Sequence, residues 1–184
     1  MKSSLSYTWG STEKERADSY PCDSVTKSYD DVYFRAISIF ATKEIIFRWL
    51  CQLKVAPYTY DWIDNGGKKS PVELTPGVEF LTIGEPVMRI FDLIDFERNR
   101  SLTIKIKTDS SAEKVFGEFT VTYQINESSE NCRLVVKVIA KYPPGFYGRI
   151  LKHFLPFGDM IMMRKQLLTL KQLSESSQPT FQLS

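Results

Sequence analysis

"FYGRILKHFLPFGDMIMMRKQLLTLKQLSE", residues 146–175, is the stretch on which the fold turns. Phe146, Ile150, Phe154, Phe157 and Ile161 recur at helical spacing, and Met160, Met163, Leu167 and Leu170 continue the period. Pro143, Pro144 and Gly145 stop whatever element precedes it. Pro156 and Gly158 sit inside the periodic run. An interior proline removes a backbone hydrogen bond at a cost of about 3 kcal/mol, so the pattern predicts two helical segments bent near Pro156. A helix this long and this apolar needs a surface to cover.

That surface is encoded upstream. Residues 31–41, "DVYFRAISIFA", are rich in β-branched and aromatic side chains and read as a strand. Thr42 then offers an N-cap oxygen and Glu44 a first-turn carboxylate, ahead of Ile46, Trp49, Leu50 and Leu53 at helical spacing. Pro57 ends that helix or starts a second short one. Five further strands follow, at residues 79–83, 87–96, 101–108, 115–126 and 132–142, with connections short enough to join antiparallel neighbours. Phe119, Val121, Tyr123 and Ile125 alternate with Glu118, Thr120, Thr122 and Gln124, and Leu134, Val136 and Val138 alternate with Arg133 and Lys137. One face of the sheet is therefore expected to be buried and the other wet. The fold class is α+β: an antiparallel sheet of about six strands, two short helices after the first, and a long C-terminal helix on its apolar side.

Composition sets the limits. The 184 residues are 42% hydrophobic and 25% charged, enough for one core. The net charge of +2 gives no electrostatic case for nucleic acid. Lys105, Lys107, Arg133, Lys137 and Lys141 share one sheet face but interleave with Glu118, as a solvated face does. Cys22, Cys51 and Cys132 are widely spaced and odd in number, which favours reduced thiols and a cytoplasmic location. No secretory signal is read at the start, and charge breaks every apolar run, so stable membrane insertion is not expected. Residues 1–30 are rich in Ser, Thr, Lys, Glu and Asp and read as a flexible tail. The folded unit is expected over 31–174, with a frayed tail at 175–184.

The phrase "FRWLCQLKVAPYTYDWIDN" at residues 47–65, together with the order strand, short helices, antiparallel sheet and long helix, resembles the helix-grip superfamily of START, Bet v 1 and polyketide cyclase-like (SRPBCC) domains. The resemblance covers about residues 31–173. It implies a curved sheet wrapped around the C-terminal helix, with a cavity between them for lipids, polyketides or other apolar molecules. Some relatives are cyclases or dehydratases. The superfamily has no universal catalytic residue, so only cavity-lining positions carry over.

The candidate ligand-binding residues are Trp49, Tyr58, Tyr60, Trp62, Arg89, Tyr123, His153, Phe154, Phe157 and Met160. Tyr and Trp carry an apolar body with one polar tip, which suits a pocket mouth; the same rings also serve to plug the end of a sheet. The "DNGG" turn at residues 64–67 makes the 58–62 segment a candidate lid. Arg89, if inward, would meet a ligand carboxylate; if outward, it is a solvated charge. Asp61, Tyr123 and His153 are the acid–base candidates should the cavity be catalytic. With a single histidine and no paired cysteines, no His/Cys zinc site is expected, and no cofactor motif is present. The expected partner is an apolar or amphipathic small molecule, held by a carrier or sensor. A cyclase/dehydratase-like enzyme and an interaction module with a filled interior are the alternatives.

Overall fold

Alternating apolar residues in the first and last strands draw the two ends of the chain together. In the computed structural model, which describes residues 4–60, 69–128 and 131–178, β1 (Asp31–Ile39) pairs antiparallel with β6 (Cys132–Lys141), Asp31 opposite Ala140 and Ile39 opposite Cys132. Between them in sequence lie α4 (Lys43–Cys51), a 3-10 turn (Gln52–Lys54), β2 (Pro86–Val87), β3 (Phe91–Glu97), β4 (Ser101–Ile106), α5 (Ser111–Phe116) and β5 (Glu118–Glu127). The strands form one antiparallel sheet in the order β1-β6-β5-β4-β3-β2. Three helical turns, α1 (Leu5–Thr8), α2 (Glu13–Ala17) and α3 (Cys22–Val25), precede β1, and α6 (Gly145–Ser176) ends the described fold.

The inner face of the sheet, α4 and the second half of α6 share one core. Tyr33, Ile39, Trp49, Leu50, Leu53, Leu93, Ile104, Tyr123, Leu134, Val136, Leu167 and Leu170 are all buried in it. Thr42 accepts from the Ile45 amide and starts α4, as its sequence indicates. Helix α6 packs against β1, α4 and α1. Its far end is fastened: the Trp49 indole N–H donates to Ser177 Oγ at 3.1 Å and the Phe40 amide to Glu175 Oε1 at 2.9 Å. Glu175 to Ser177, expected in a frayed tail, are thus held.

Several expectations need correction. Helix α6 is one element through Pro156, not two segments. Proline's fixed φ is itself helical, and packing on both sides of Pro156 supports the helix across the missing amide. Residues 79–83 form no strand, and β3 starts at Phe91 because Met88 and Arg89 turn with φ of 46° and 66°. Residues 111–116 are helical: Ser110 Oγ accepts from the Glu113 amide at 3.1 Å, while the Glu113 carboxylate takes the Asp109 amide at 2.6 Å.

The largest correction concerns residues 4–30, which are folded onto the sheet. Their composition is polar, but Tyr20 and Cys22 bury against Phe34, Ala36, Val135 and Ile139 to form a second small core on the outer face. That face is consequently not uniformly wet. Glu15 is paired with Arg133 at 2.8 Å and Asp23 with Lys137 at 2.6 Å, so the charges expected in solvent grip the N-terminal segment instead. The segment also covers the β1 edge, where the Ala36 amide donates to the Trp9 carbonyl at 3.0 Å. Gly10 makes that approach possible: its φ is +74°, and a Cβ there would lie 2.0 Å from the Ala36 oxygen.

Tyr20→Ala is expected to lower unfolding free energy by about 3 kcal/mol in urea titrations; a loose tail would give no change. Burial pushes the Glu15 carboxyl up, but hydrogen bonds from Arg133 and the Thr12 amide outweigh it and hold the group below its ordinary 4.5. A depressed acid stabilises the fold above its unfolded value and loses that contribution as pH falls through the folded one. Glu15→Gln is therefore expected to be about 1 kcal/mol less stable than the parent at pH 7. The gap should close in melts taken progressively below pH 4.5.

Candidate functional site

Strand alternation turns Tyr33 and Arg35 of β1 inward, beneath α6. Arg35 is fully buried, and a buried guanidinium requires its charge to be met. Its Nη1 donates to the Phe34 carbonyl at 2.9 Å; its Nη2 donates to the Ser6 carbonyl at 2.9 Å, the Pro156 carbonyl at 3.3 Å and Asp159 Oδ2 at 2.7 Å. Burial holds the Asp159 carboxyl above the usual carboxylate range, against the opposing pull of Arg35. The other oxygen of Asp159 has no partner among the described residues, and the side chain keeps 19% of its surface open. That surface faces a cleft.

The cleft lies between α6 and strands β3 to β6, in two adjoining chambers of about 470 and 640 Å³. Both are lined by Ile90, Phe91, Phe116, Phe119, Asp159 and Met162. Val121, Tyr123, Val138, Met163 and Gln166 add to the first; Tyr60, Ile106, Leu155, Gly158 and Ile161 add to the second. Among the described residues, Asp159 is the only carboxylate in either lining, and Arg89, at the rim of the first, the only cation. A side chain built at Gly158 meets nothing within 4 Å, so that position looks onto open space.

Gln166 closes the inner end. Its Oε1 accepts from the Tyr123 hydroxyl at 2.8 Å, and its Nε2 donates to the Pro57 carbonyl at 2.6 Å and the Met88 sulfur at 3.3 Å. One buried amide thus ties β5, the 57–60 segment and the 88–90 turn to α6. Both backbone segments carry left-handed residues, Tyr58 with φ 56° beside Pro57, and Met88 with Arg89. Such conformations persist only where the surroundings over-determine them. Burial raises the Tyr123 phenol well above its ordinary value, and its hydroxyl hydrogen is engaged in the bond to Gln166.

The sequence candidates divide accordingly. Tyr60, Arg89 and Tyr123 line the cleft. Trp49 and Tyr58 do not: they meet edge to face at 6.1 Å within the core, and the Tyr58 hydroxyl donates to the Pro71 carbonyl. Met160 is buried away from the lining, while its neighbours Met162 and Met163 enter it. His153, Phe154 and Phe157 lie on the exposed side of α6, with the His153 ring against Phe154. Asp61, Trp62 and the 64–67 turn lie outside the described residues. Asp159, Gln166 and Arg35 were missed. An Asp and a Gln seven residues apart on one helix face, with an Arg at an inward strand position, were the available signals.

Burial pushes the Cys22 thiol up to about 11 and the Cys51 thiol up to about 12, which disfavours the thiolate at both. No cluster of three His, Cys, Asp or Glu side chains suited to a metal ion occurs among the described residues.

The architecture of a sheet curved on one long C-terminal helix with a cleft between them is the helix-grip fold. Solved structures share it. The hypothetical protein jhp0584 from Helicobacter pylori aligns over 86% of this chain and 96% of its own, with a TM-score of 0.57 and 10% identity. A protein from Arthrobacter aurescens aligns over 83% and 92%, with a TM-score of 0.51 and 9% identity. The di-domain ARO/CYC StfQ of the steffimycin biosynthetic pathway matches over 79% of this chain, at TM-score 0.51 and 10% identity. This chain spans about half the length of StfQ. These likenesses are of fold. No family model and no curated protein matches the sequence.

Arg35→Met leaves Asp159 buried without its cation and is expected to cost about 3–5 kcal/mol in urea unfolding. Arg35→Met/Asp159→Leu is expected to recover most of that loss. A double variant destabilised by the sum of Arg35→Met and Asp159→Leu measured alone would show that the pair is not coupled.

Proposed function

We propose that this chain binds an apolar or amphipathic small molecule between its sheet and α6, acting as a carrier or sensor. The observation that carries this reading is the cleft: about 470 and 640 Å³ of adjoining space, walled mainly by Phe, Ile, Val and Met side chains, with one carboxylate oxygen that has no partner among the described residues. Each chamber falls in the size range of ordinary ligand sites. Removing the ligand's apolar surface from water supplies affinity at about 25 cal/mol per Å². Asp159 fixes orientation by accepting from a hydroxyl or amine on the ligand, and Arg89 at the rim meets an anionic end where the ligand has one. The space left open supports a bound molecule over an interior filled by side chains.

A second reading is favoured by Asp159 itself. A carboxyl held above its usual range by burial, beside an apolar chamber, is suited to proton transfer. StfQ, which has this fold, is an ARO/CYC protein. In the enzyme reading Asp159 replaces Asp61, Tyr123 and His153 as the acid–base group of a cyclase- or dehydratase-like reaction.

Gly158→Leu tests the cleft directly, because the new side chain enters open space without meeting the backbone. The variant is expected to melt at or above the parent's temperature, since glycine inside a helix costs about 1 kcal/mol. The purified parent is expected to carry a discrete mass adduct in native mass spectrometry, and Gly158→Leu to lose it. An adduct retained unchanged in Gly158→Leu would refute a ligand in this cleft. With the adduct identified, Asp159→Asn separates the readings: a carrier loses affinity, an enzyme loses turnover.

A further inference from the structure

Helix α6 is apolar on two opposite sides. Leu151, Leu155, Met162, Met163 and Gln166 face the sheet and cleft, yet Phe146, Ile150, Phe154, Phe157 and Ile161 project outward at 76%, 41%, 67%, 58% and 39% exposure. At about 100° per residue these five fall within a sector of about 80°, roughly opposite the buried face. They make a stripe about 22 Å long. Single exposed apolar residues are unremarkable, but an apolar stripe of this length marks a contact surface.

The charges beside the stripe identify what it meets. Between Gly145 and Lys165 the helix carries Arg149, Lys152, His153, Arg164 and Lys165, and one carboxylate, Asp159, which points inward to Arg35. Lys152 is matched by Asp30 at 3.4 Å, and Arg164 lies over the Trp9 ring; Arg149 and Lys165 are exposed. A second copy of the chain does not fit. Antiparallel overlay of the 146–161 stripe sets Arg149 of one copy against Gly158 of the other and leaves Lys165 beyond the stripe, so neither exposed cation meets a carboxylate of the helix, and parallel pairing sets like against like. A surface that is apolar within and anionic at its boundary satisfies both the phenylalanines and the cations.

We propose that the outer stripe of α6 docks this protein on the surface of anionic membranes. The helix lies in the interfacial plane, with Phe146, Phe154 and Phe157 entering the boundary between headgroups and acyl chains while Arg149 and Lys165 meet lipid phosphate. No helix of the described residues is long and apolar enough to cross a bilayer, so the contact is peripheral. Ile161 belongs to both the stripe and the lining of the larger chamber, and Phe116 and Ile90, each 38% exposed, face it from the sheet side. The docked surface therefore adjoins the cleft mouth, and an apolar molecule passes between bilayer and cleft along a continuous apolar path. That last step rests on the proposed ligand function; the docking does not.

The test is cosedimentation of the full chain with vesicles of phosphatidylcholine alone or with about 30 mol % phosphatidylserine. The parent is expected to bind the anionic vesicles preferentially and to be released as salt rises. Phe154→Ser/Phe157→Ser is expected to lower the partition coefficient at least about tenfold, with an unchanged thermal melt because both rings are already exposed. Arg149→Glu/Lys165→Glu is expected to remove the preference for phosphatidylserine. No binding to anionic vesicles, or equal binding by the Phe154/Phe157 variant, overturns the proposal. So does concentration-dependent self-association that the same variant abolishes without any vesicle binding. Gly158→Leu is expected to bind vesicles as the parent does, so failure of the ligand reading and failure of docking are seen separately.

Discussion

A guanidinium with no access to water must have its charge and its donors met by the protein, and Arg35 organises this fold through that requirement. Its donors reach α1 through Ser6, its own strand through Phe34, and α6 through Pro156 and Asp159. Three parts of the chain far apart in sequence are thus fixed to one group. The contact with α6 falls at the proline, where the regular helix is weakest. The helix is held there from outside, which is consistent with its running unbroken through a residue that usually ends one. The Arg35 Nε is buried without an acceptor among the described residues, and an unmet buried donor costs stability.

That anchoring has a consequence for the rest of the sheet. Helix α6 is drawn onto β1 and α4, at one side, while Gln166 and the 57–60 and 88–90 segments prop it at the other. What remains over β3 to β6 is space. The cleft follows from how the helix is fastened more than from missing side chains, since its walls carry large residues such as Phe91, Phe116, Phe119 and Met162. The ion pair that secures the helix also delivers a carboxylate to the chamber wall. Its second oxygen has no partner among the described residues.

Much of the architecture was legible because it rests on periodicity. Alternation identified β4, β5 and β6, β-branched and aromatic composition identified β1, and the 3.6-residue period identified α6. What failed was local or depended on partners. The α5 turn carries a Ser110-x-x-Glu113 cap, a signal present in the sequence and masked by the apolar residues Val115 and Phe116. The N-terminal segment reads as a tail by composition, since its docking depends on a few residues, Tyr20, Cys22 and Glu15, whose partners lie on β1, β5 and β6. Within the site, aromatic rings drew attention to Trp49 and Tyr58, which pack in the core. The groups that shape the cleft chemically are an Asp, a Gln and an Arg, residue types whose usual place is the surface.

The misreading of α6 is itself informative. A helix that only covers a sheet shows one apolar sector, and its phase can be taken from the largest side chains. Here the largest side chains, Phe146, Phe154 and Phe157, lie on the side away from the sheet, and the smaller set Leu151, Leu155, Met162 and Met163 faces inward. Two apolar sectors on one helix cannot both be explained by one core. The inner sector is sufficient for packing, because Met163, Leu167 and Leu170 are buried without help from the outer one. The outer rings are mostly exposed, and such a patch raises the tendency to aggregate. Their presence beside unmatched cations is accounted for by a second, anionic surface, and their meeting with the chamber at Ile161 links that surface to the cleft.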